Sequence, residues 1–366
     1  MEYGKLAKSE KEEWIKGLYP RVVVWELTLT CNMKCIHCGS TAGPDKQLLD
    51  ELDTEKAIDL VHQLAGIGTK RIVISGGEPF LRKDWYDISL EIAKIGIIPA
   101  FISNAFILNE DIADKILQLQ KIHPQTQVGL SFDGNEKIHD YLRQTKGSFK
   151  NVINAIKILN HRKIPVSIVS SISKFNIDIL HEMKDILSKH DIFHWQLQKA
   201  NPWGRFTKDM MLTREQYMQF LEFLVEQRKI HGDCINGADD AGYYTYIEKS
   251  LRPEGEWSGC HAGLHVLGLR SNGDVMGCLS LQEPIYIEGN IRDKKLKDFW
   301  HDPDAFSYNR SFTRDDLTGY CRECPNGIKC RAGCKNSAYS YTRSIGENVF
   351  CAFRIMLEGK DGKKGG

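Results

Sequence analysis

Cysteine is the residue type whose number and spacing most directly predict chemistry in this chain of 366 residues, which contains eleven of them. Three cysteines fall between Cys31 and Cys38, and seven fall between Cys260 and Cys351. Thiolates grouped in this way hold metals, whereas disulfides are rare in a reducing compartment. The spacing therefore predicts metal ligation over a scattered set of buried structural cysteines.

The first group has the pattern C-x3-C-x2-C and consists of Cys31, Cys35 and Cys38. Three thiolates on one tight loop can hold three irons of a [4Fe–4S] cube and leave the fourth iron open to a ligand. Zinc is the alternative, but a structural zinc site requires a fourth protein ligand. His37 is nearby but lies inside the loop.

The second group contains Cys260 and Cys278, followed by a C-x2-C-x5-C-x3-C run and then Cys351. The surrounding hundred residues are rich in Cys, Gly and Asn and leave little room for an independent hydrophobic core. Bound metal can supply the missing stability. A zinc ribbon is the alternative interpretation. The run consists of Cys321, Cys324, Cys330 and Cys334.

Short β-rich runs alternate with amphipathic helical stretches from Arg21 to about Lys199. This alternation predicts right-handed βαβ crossovers and a parallel α/β sheet, either doubly wound or closed into an incomplete barrel. In both, the chemistry gathers at the carboxyl ends of the strands. The predicted strands are Val22–Thr28, Arg71–Ser75, Ile98–Ser103, Gln127–Phe132, Pro165–Ser171 and Phe193–Gln198.

Charge and hydropathy exclude several classes of partner. The 49 basic and 48 acidic residues leave a net charge of +1, and no long basic block is present. We therefore expect neither nucleic acid nor an anionic membrane surface as a partner. The charged N-terminus is not a signal peptide, and no apolar run is long enough to cross a bilayer. The expected location is the cytoplasm.

A glycine-rich segment follows the second predicted strand and reads Gly76-Gly77-Glu78-Pro79. Two glycines at a strand end allow a ligand to approach the backbone, whose N–H and C=O groups can grip an amino-acid head group. Alone, such a tetrapeptide is also typical of an ordinary strand–turn–helix connection. Its position one βα unit after the cysteine loop favours a binding role.

The C-x3-C-x2-C loop after strand one, together with G-G-E-P after strand two, resembles the radical S-adenosylmethionine (SAM) superfamily. His37 departs mildly from the aromatic residue that is more usual there. The resemblance implies a partial (βα)6 barrel in which further positions contact SAM. Those positions are Ser103 and Asn104 on strand three, Ser131 and Arg143 around strand four, Ser170 on strand five, and Gln196 and Arg205 around strand six.

The resemblance also implies the chemistry. The amino and carboxylate groups of SAM would chelate the open iron, and an electron from an external donor such as flavodoxin or ferredoxin would cleave SAM. The resulting 5′-deoxyadenosyl radical would remove a hydrogen atom from the substrate. The protein would position the reactants and exclude water.

The tail resembles the SPASM domain, a small cysteine-rich α+β domain found in maturases of peptides and proteins. By this resemblance, one [4Fe–4S] cluster is held by Cys321, Cys324, Cys330 and Cys351. A second is held by Cys260, Cys278 and Cys334, with one iron left open. With the SAM cluster, the expected cofactors are three [4Fe–4S] clusters and SAM.

The segment from Asp233 to Tyr244 joins polar, acidic and aromatic residues between the two cysteine-rich regions. It is typical of a polar turn with a helix start, and it equally fits a bridge that lines the substrate cavity. On the second interpretation Cys234, Asp239 and Asp240 are the candidate catalytic residues. Cys234 is also the cysteine that the cluster motifs leave over.

These patterns divide the chain into five predicted parts. An N-terminal extension (1–20) precedes the partial barrel (21–212), a bridging region (213–255) leads to the SPASM domain (256–355), and a flexible tail (356–366) ends the chain.

The function implied by the resemblance is maturation of a ribosomally made peptide, by a thioether, a carbon–carbon or carbon–oxygen crosslink, or inversion of an α-carbon. The alternative is maturation of a protein or cofactor, of the sulfatase-activating or haem-synthesis type. A colourless zinc-stabilised binding module is the third class. A peptide or small protein is the expected substrate, and its leader would bind at the barrel rim or to a separate protein.

Overall fold

A single ten-stranded sheet runs through the computed structural model, in the order β10-β9-β8-β1-β2-β3-β4-β5-β6-β7. The structure describes residue 6 and residues 8–46, 50–238, 240–252, 255 and 257–361. The strands are β1 Val22–Glu26, β2 Arg71–Ser75, β3 Ile98–Ser103, β4 Gln127–Ser131, β5 Val166–Ile172, β6 His194–Lys199, β7 Ile235–Gly237, β8 Val266–Leu269, β9 Asp274–Met276 and β10 Ile287–Asn290.

Strands β1 to β6 are consecutive neighbours and all parallel, which confirms the predicted α/β class. The first strand ends at Glu26, two residues earlier than predicted, and the chain then turns toward the cysteine loop. Each crossover carries helices that cover the outer face of the sheet. Their apolar faces form one continuous core with the strands.

The longer helices begin where the sequence supplies a capping side chain. Asp53 caps α2 by accepting the Lys56 N–H at 2.8 Å, and Thr213 and Gln216 form a capping box at the start of α8. The helices are α1 Lys8–Lys16, α2 Thr54–Gly66, α3 Trp85–Lys94, α4 Glu110–Ile122, α5 Glu136–Arg143, α6 Ser148–His161, α7 Leu180–Leu187, α8 Arg214–His231, α9 Glu248–Leu251, α10 Leu296–Trp300, α11 Ser307–Arg310, α12 Gly319–Glu323, α13 Gly327–Cys330, α14 Lys335–Thr342 and α15 Ala352–Asp361.

The cysteine-rich tail is joined to the barrel through the sheet itself. Strand β8 pairs in parallel with β1, with Val22 opposite Val266, and β9 and β10 continue the sheet in antiparallel pairing. At the other end, β7 pairs in parallel with β6. This continuity could not be read from local patterns, because strand pairing between distant segments leaves no periodic signal.

Helices occur near both ends of the described chain. Helix α1 covers Lys8–Lys16, and α15 runs through part of the predicted flexible tail as far as Asp361. The last five residues of that tail lie outside the described residues. Among the described residues, none of the helices combines the length and apolar character that crossing a bilayer would require.

Candidate active site

Hydrogen bonds from three other parts of the chain hold the backbone of the first cysteine loop. The Cys31 N–H donates to the Gly43 carbonyl at 3.1 Å, and the Ile36 N–H donates to Leu142 at 3.0 Å. The Arg205 Nε donates to the Cys35 carbonyl at 2.7 Å. Arg205 was predicted to contact SAM, and the structure places its guanidinium against the backbone of the cysteine loop.

The two glycines of the G-G-E-P segment allow this segment to lie directly against residues 28–30, which lead into Cys31. The Gly77 N–H donates to Thr28 at 2.7 Å, and the Glu78 N–H donates to Thr30 at 2.9 Å. A Cβ on Gly77 would overlap the Thr30 carbonyl, and a Cβ on Gly76, whose φ is +135°, would overlap that of Thr28. The glycines are therefore required by the packing of one protein backbone against another.

Glu78 connects this segment to the end of β3. Its fully buried carboxylate accepts the Ser103 hydroxyl at 2.9 Å and the Asn104 N–H at 2.8 Å. Burial raises the pKa of Glu78 to about 7. The Asn104 amide lies 3.6 Å from the sulfur of Cys31. Glu78 and Ser103 thus hold Asn104 beside the loop, and Pro79 begins a short buried 3₁₀ turn.

A buried charged network lies on the other side of the loop. Asp133 Oδ2 accepts from Arg143 and lies 3.2 Å from Nε2 of His37. Burial disfavours the charged form, but Arg143 and His37 outweigh it and hold the pKa of Asp133 well below its usual range. The Nη1 of Arg143 lies 4.0 Å from the sulfur of Cys35. A fixed positive charge thus stands beside one of the ligand thiols.

Successive side chains of a strand point to opposite faces of the sheet, and this decides which residues of β5 and β6 reach the open cleft on the inner face. Gln196 and Ser171 line this cleft. Ser170 was predicted to contact SAM, but its buried hydroxyl donates to the Phe132 carbonyl and accepts from the Trp195 indole at 2.9 Å. Because side chains alternate between faces, Ser170 points toward the helices and its neighbour toward the cleft.

Ser131 ends β4 and is half-buried. The register pairs it with Val169, two residues before Ser171, so that it lies on the cleft-facing side of the sheet.

Four tail cysteines surround one cavity with an empty volume of about 370 Å³. Tyr243 and Tyr320 also line it. Burial, with a smaller contribution from the neighbouring Cys321 and Cys324, raises the pKa of Cys351 to about 12. The cysteines of this cavity are Cys321, Cys324, Cys330 and Cys351.

A separate three-cysteine set consists of Cys260, Cys278 and Cys334. Burial raises the pKa of Cys334 well above its usual value, and the neighbouring Cys260, Asp240 and Cys278 add to that rise. The Cys334 N–H donates to the Tyr243 hydroxyl at 3.0 Å. The turn between α13 and α14 joins Cys330 to Cys334 and thus supplies one thiol to each set.

The donor sets fit iron–sulfur clusters better than single metal ions. In the part of the chain that the structure describes, no three Cys, His, Asp or Glu side chains converge closely enough to hold one ion. The thiols of a cubane bind different irons, so they surround a space, as the 370 Å³ cavity does. Metal binding would also stabilise the thiolates that burial alone disfavours.

One open cleft of about 1590 Å³ connects the two halves of the site. It is lined by His37 within the first cysteine loop, by Ser40 just after that loop, and by Gly76. Cys278 and Cys334 also line it. The cleft is therefore bordered by residues of both cysteine sets.

Sequence reasoning missed Lys199, which ends β6 on the cleft wall. Its buried ammonium lies 3.9 Å from Asp240 and 4.7 Å from the ring centre of Phe350. Burial lowers the pKa of Lys199. The sequence signal that could have indicated it is a lysine at the carboxyl end of a predicted parallel strand, where functional residues gather. Asp240 does line the cleft, while Asp239 lies outside the described residues.

The expectation that Cys234 faces the cavity is wrong. Cys234 is exposed and directly precedes β7, whose first residue Ile235 pairs with Trp195 near the start of β6. It therefore lies at the amino-terminal edge of the sheet, opposite the edge where Lys199 reaches the cleft. Because β7 runs parallel to β6, the turn that joins α8 to the start of β7 lies at the amino-terminal edge of the sheet, and Cys234 is in that turn.

Family models match two parts of the chain. Residues 25–189 match the radical SAM superfamily, and residues 260–325 match the SPASM iron–sulfur cluster-binding domain. The chain is 25% identical over 349 residues to an AdoMet-dependent heme synthase of Methanosarcina barkeri, covering 92% of this chain and 97% of that one. It is 26% identical over 333 residues to the mycofactocin maturase MftC of Mycolicibacterium smegmatis, covering 88% and 80%.

Among solved structures, Streptococcus suis SuiB bound to its precursor peptide SuiA superposes with a TM-score of 0.72. The alignment covers 94% of this chain and 78% of SuiB at 15% identity, so it is evidence of the fold. The chain therefore contains a radical SAM domain. It carries a C-terminal SPASM domain, and these domains bind iron–sulfur clusters and SAM.

Proposed function

We propose that this protein oxidatively modifies a residue of a ribosomally made peptide. The observation that carries the proposal is the single cleft lined both by His37 of the first cysteine loop and by Cys278 and Cys334 of the three-cysteine set. A substrate in this cleft is within reach of the SAM site for hydrogen removal and of an auxiliary cluster for electron removal.

The lining of the cleft favours an amide-rich substrate. Uncharged hydrogen-bonding side chains predominate on the barrel wall, among them Ser171, Gln196 and Gln198. Lys199 is the only lysine or arginine among the described residues that line the cleft, and it is paired with Asp240. Peptide N–H and C=O groups pair well with such side chains.

The cofactors supply SAM cleavage, hydrogen-atom removal and acceptance of the second electron. The chain supplies positioning: Arg205 and Asn104 hold the cysteine loop, and the cleft walls orient the peptide. We propose three [4Fe–4S] clusters, on the three cysteine sets, with about twelve irons in total at four per cubane. Reduced flavodoxin or ferredoxin is the proposed electron donor.

The similarity of the fold to SuiB, which was solved with a precursor peptide, supports a peptide substrate. Peptides encoded beside the gene are therefore the first substrates to test, with and without a separate leader-binding protein. Anaerobic reaction with SAM should yield a peptide lighter by two hydrogens, by mass spectrometry. An unchanged mass in ordinary water, with one deuterium gained in heavy water, would indicate inversion and contradict oxidation.

Two variants separate the proposed steps. Replacing Cys31, Cys35 and Cys38 together should abolish 5′-deoxyadenosine formation and remove about a third of the iron. Cys278→Ala should retain 5′-deoxyadenosine formation but lose the oxidised peptide. Full peptide oxidation by Cys278→Ala would contradict the proposed electron path.

Haem synthesis is a second candidate, supported by the near full-length match to the Methanosarcina barkeri heme synthase. A porphyrin with several carboxylates needs several cationic partners, whereas Lys199 is the one lysine or arginine among the described cleft residues. Incubation with Fe-coproporphyrin III, SAM and reductant distinguishes the candidates. Haem formation, followed by its absorbance and mass, would replace the peptide proposal.

A further inference from the structure

The hydroxyl of Tyr308 is a buried polar group that the proposed function does not use. Its oxygen is shielded from solvent and makes no hydrogen bond to any of the residues that the structure describes. A buried hydroxyl without a hydrogen-bond partner destabilises the fold, so the position of this hydroxyl requires an explanation.

The surroundings of Tyr308 point to the three-cysteine set. Tyr308 packs against the apolar cluster that contains Cys260, and Cys278 and Cys334 pack against the same cluster.

The adjacent backbone is shaped around this hydroxyl. Gly277 directly precedes Cys278, and a Cβ at Gly277 would overlap the Tyr308 oxygen. The absence of a side chain at Gly277 therefore leaves the space that the hydroxyl occupies. This space lies directly beside Cys278, whose thiol is a proposed cluster ligand.

Short-range packing fixes the ring in this orientation. Tyr308 lies on α11, where the side-chain amide of the next residue, Asn309, donates to the Cys260 carbonyl at 2.7 Å. The ring of Tyr286 stands edge-on to Tyr308 with centroids 4.9 Å apart. The tyrosine is therefore anchored to the same turn as the first cysteine of the set.

We propose that the Tyr308 hydroxyl donates a hydrogen bond to a sulfur of the auxiliary cluster held by Cys260, Cys278 and Cys334. Tyr308 is then a positioning residue that sets the reduction potential of that cluster. Hydrogen bonds to cluster sulfurs stabilise the reduced, more negative state and so raise the potential. The proposal rests on the cluster assignment made above.

The test compares wild-type protein, Tyr308→Phe and the control Tyr286→Phe after anaerobic reconstitution. Iron content is measured first, and potentiometric titration followed by electron paramagnetic resonance then resolves the cluster potentials. Tyr308→Phe should retain all its iron and shift one potential to a more negative value. That transition should be the one absent from Cys278→Ala, and Tyr286→Phe should leave all potentials unchanged.

Gly277→Ala provides a second route, because its methyl group should displace the hydroxyl while Tyr308 remains. The same transition should shift in the same direction. Unchanged potentials in both variants, with full iron content, would overturn the donor role. Loss of about four irons from Tyr308→Phe would also overturn it, because the tyrosine would then be an iron ligand. Wild-type protein with about eight irons, none lost in Cys278→Ala, would instead contradict the cluster assignment.

Discussion

Arg143 and Cys35 are 108 positions apart in sequence, yet the Arg143 Nη1 lies 4.0 Å from the Cys35 sulfur. The other terminal nitrogen of the same guanidinium donates to the buried carboxylate of Asp133. Arg143 therefore compensates two negative groups at once, a ligand thiolate and a buried carboxylate. The two roles can be separated by mutation.

Arg143→Met should shift the reduction potential of the SAM cluster to a more negative value, because a positive charge beside Cys35 is lost. It should also cost about 3–5 kcal/mol of stability, since Asp133 is left buried without its main partner. Adding Asp133→Asn should restore most of the stability but only part of the potential, because the charge of Arg143 acts on Cys35 more strongly than that of Asp133. Anaerobic urea unfolding and redox titration measure the two effects. A potential fully restored by the double variant would contradict the direct action of Arg143 on Cys35.

Stability should depend on His139 at mildly acidic pH. Burial lowers the pKa of His139 to about 3, while its Nδ1 accepts the Asp133 N–H at 3.1 Å. Because the folded pKa lies below the unfolded value, the stabilisation is present above pH 6.5 and is lost as pH falls toward 3. Through His139, the free energy of unfolding should be about 1.4 kcal/mol lower at pH 5.5 than at pH 7.5.

The measurement is anaerobic urea unfolding at pH 7.5, 6.5 and 5.5. His139→Gln should show a weaker loss of stability over this range. His161→Gln, at an exposed position ending α6, is the matched control and should behave like the wild type. Equal pH dependence in all three proteins would remove His139 as the cause.

Gly77→Ala should lose iron as well as SAM binding, because the new methyl would push away the Thr30 backbone that leads into Cys31. We expect loss of about four irons of about twelve, measured by iron content after reconstitution. Gly66→Ala is the control, since a Cβ there meets no atom within 4 Å among the described residues. Full iron content with lost SAM affinity would instead favour direct contact between ligand and glycine.

Cys234→Ala should form product at the wild-type rate, because this exposed thiol lies at the sheet edge opposite the cleft. In the reconstituted protein Cys234 should also be the first thiol alkylated by iodoacetamide, as mapped by peptide mass spectrometry. Alkylation that stops peptide modification without altering iron content would contradict this placement.

Features that depend on local spacing could be predicted from the amino-acid sequence. Cys31, Cys35 and Cys38 fall on one loop, so their separation in sequence limits their separation in space. The parallel strands were likewise predictable, because apolar runs and helix caps such as Asp53 are local signals. The motifs that carry the family resemblance are also short, local segments of sequence.

The orientation of side chains and the pairing of distant segments could be seen only in the folded structure. A shift of one residue separates Ser170, facing the helices, from Ser171, facing the cleft, and strand ends are not located that finely by pattern. The ion pair of Lys199 with Asp240 and the approach of Tyr308 to Cys278 join segments far apart in sequence. Their proximity follows from strand order and packing, for which no single segment carries a signal. Cys234 was misplaced for the same reason: its distance from the cleft depends on the direction in which β7 enters the sheet.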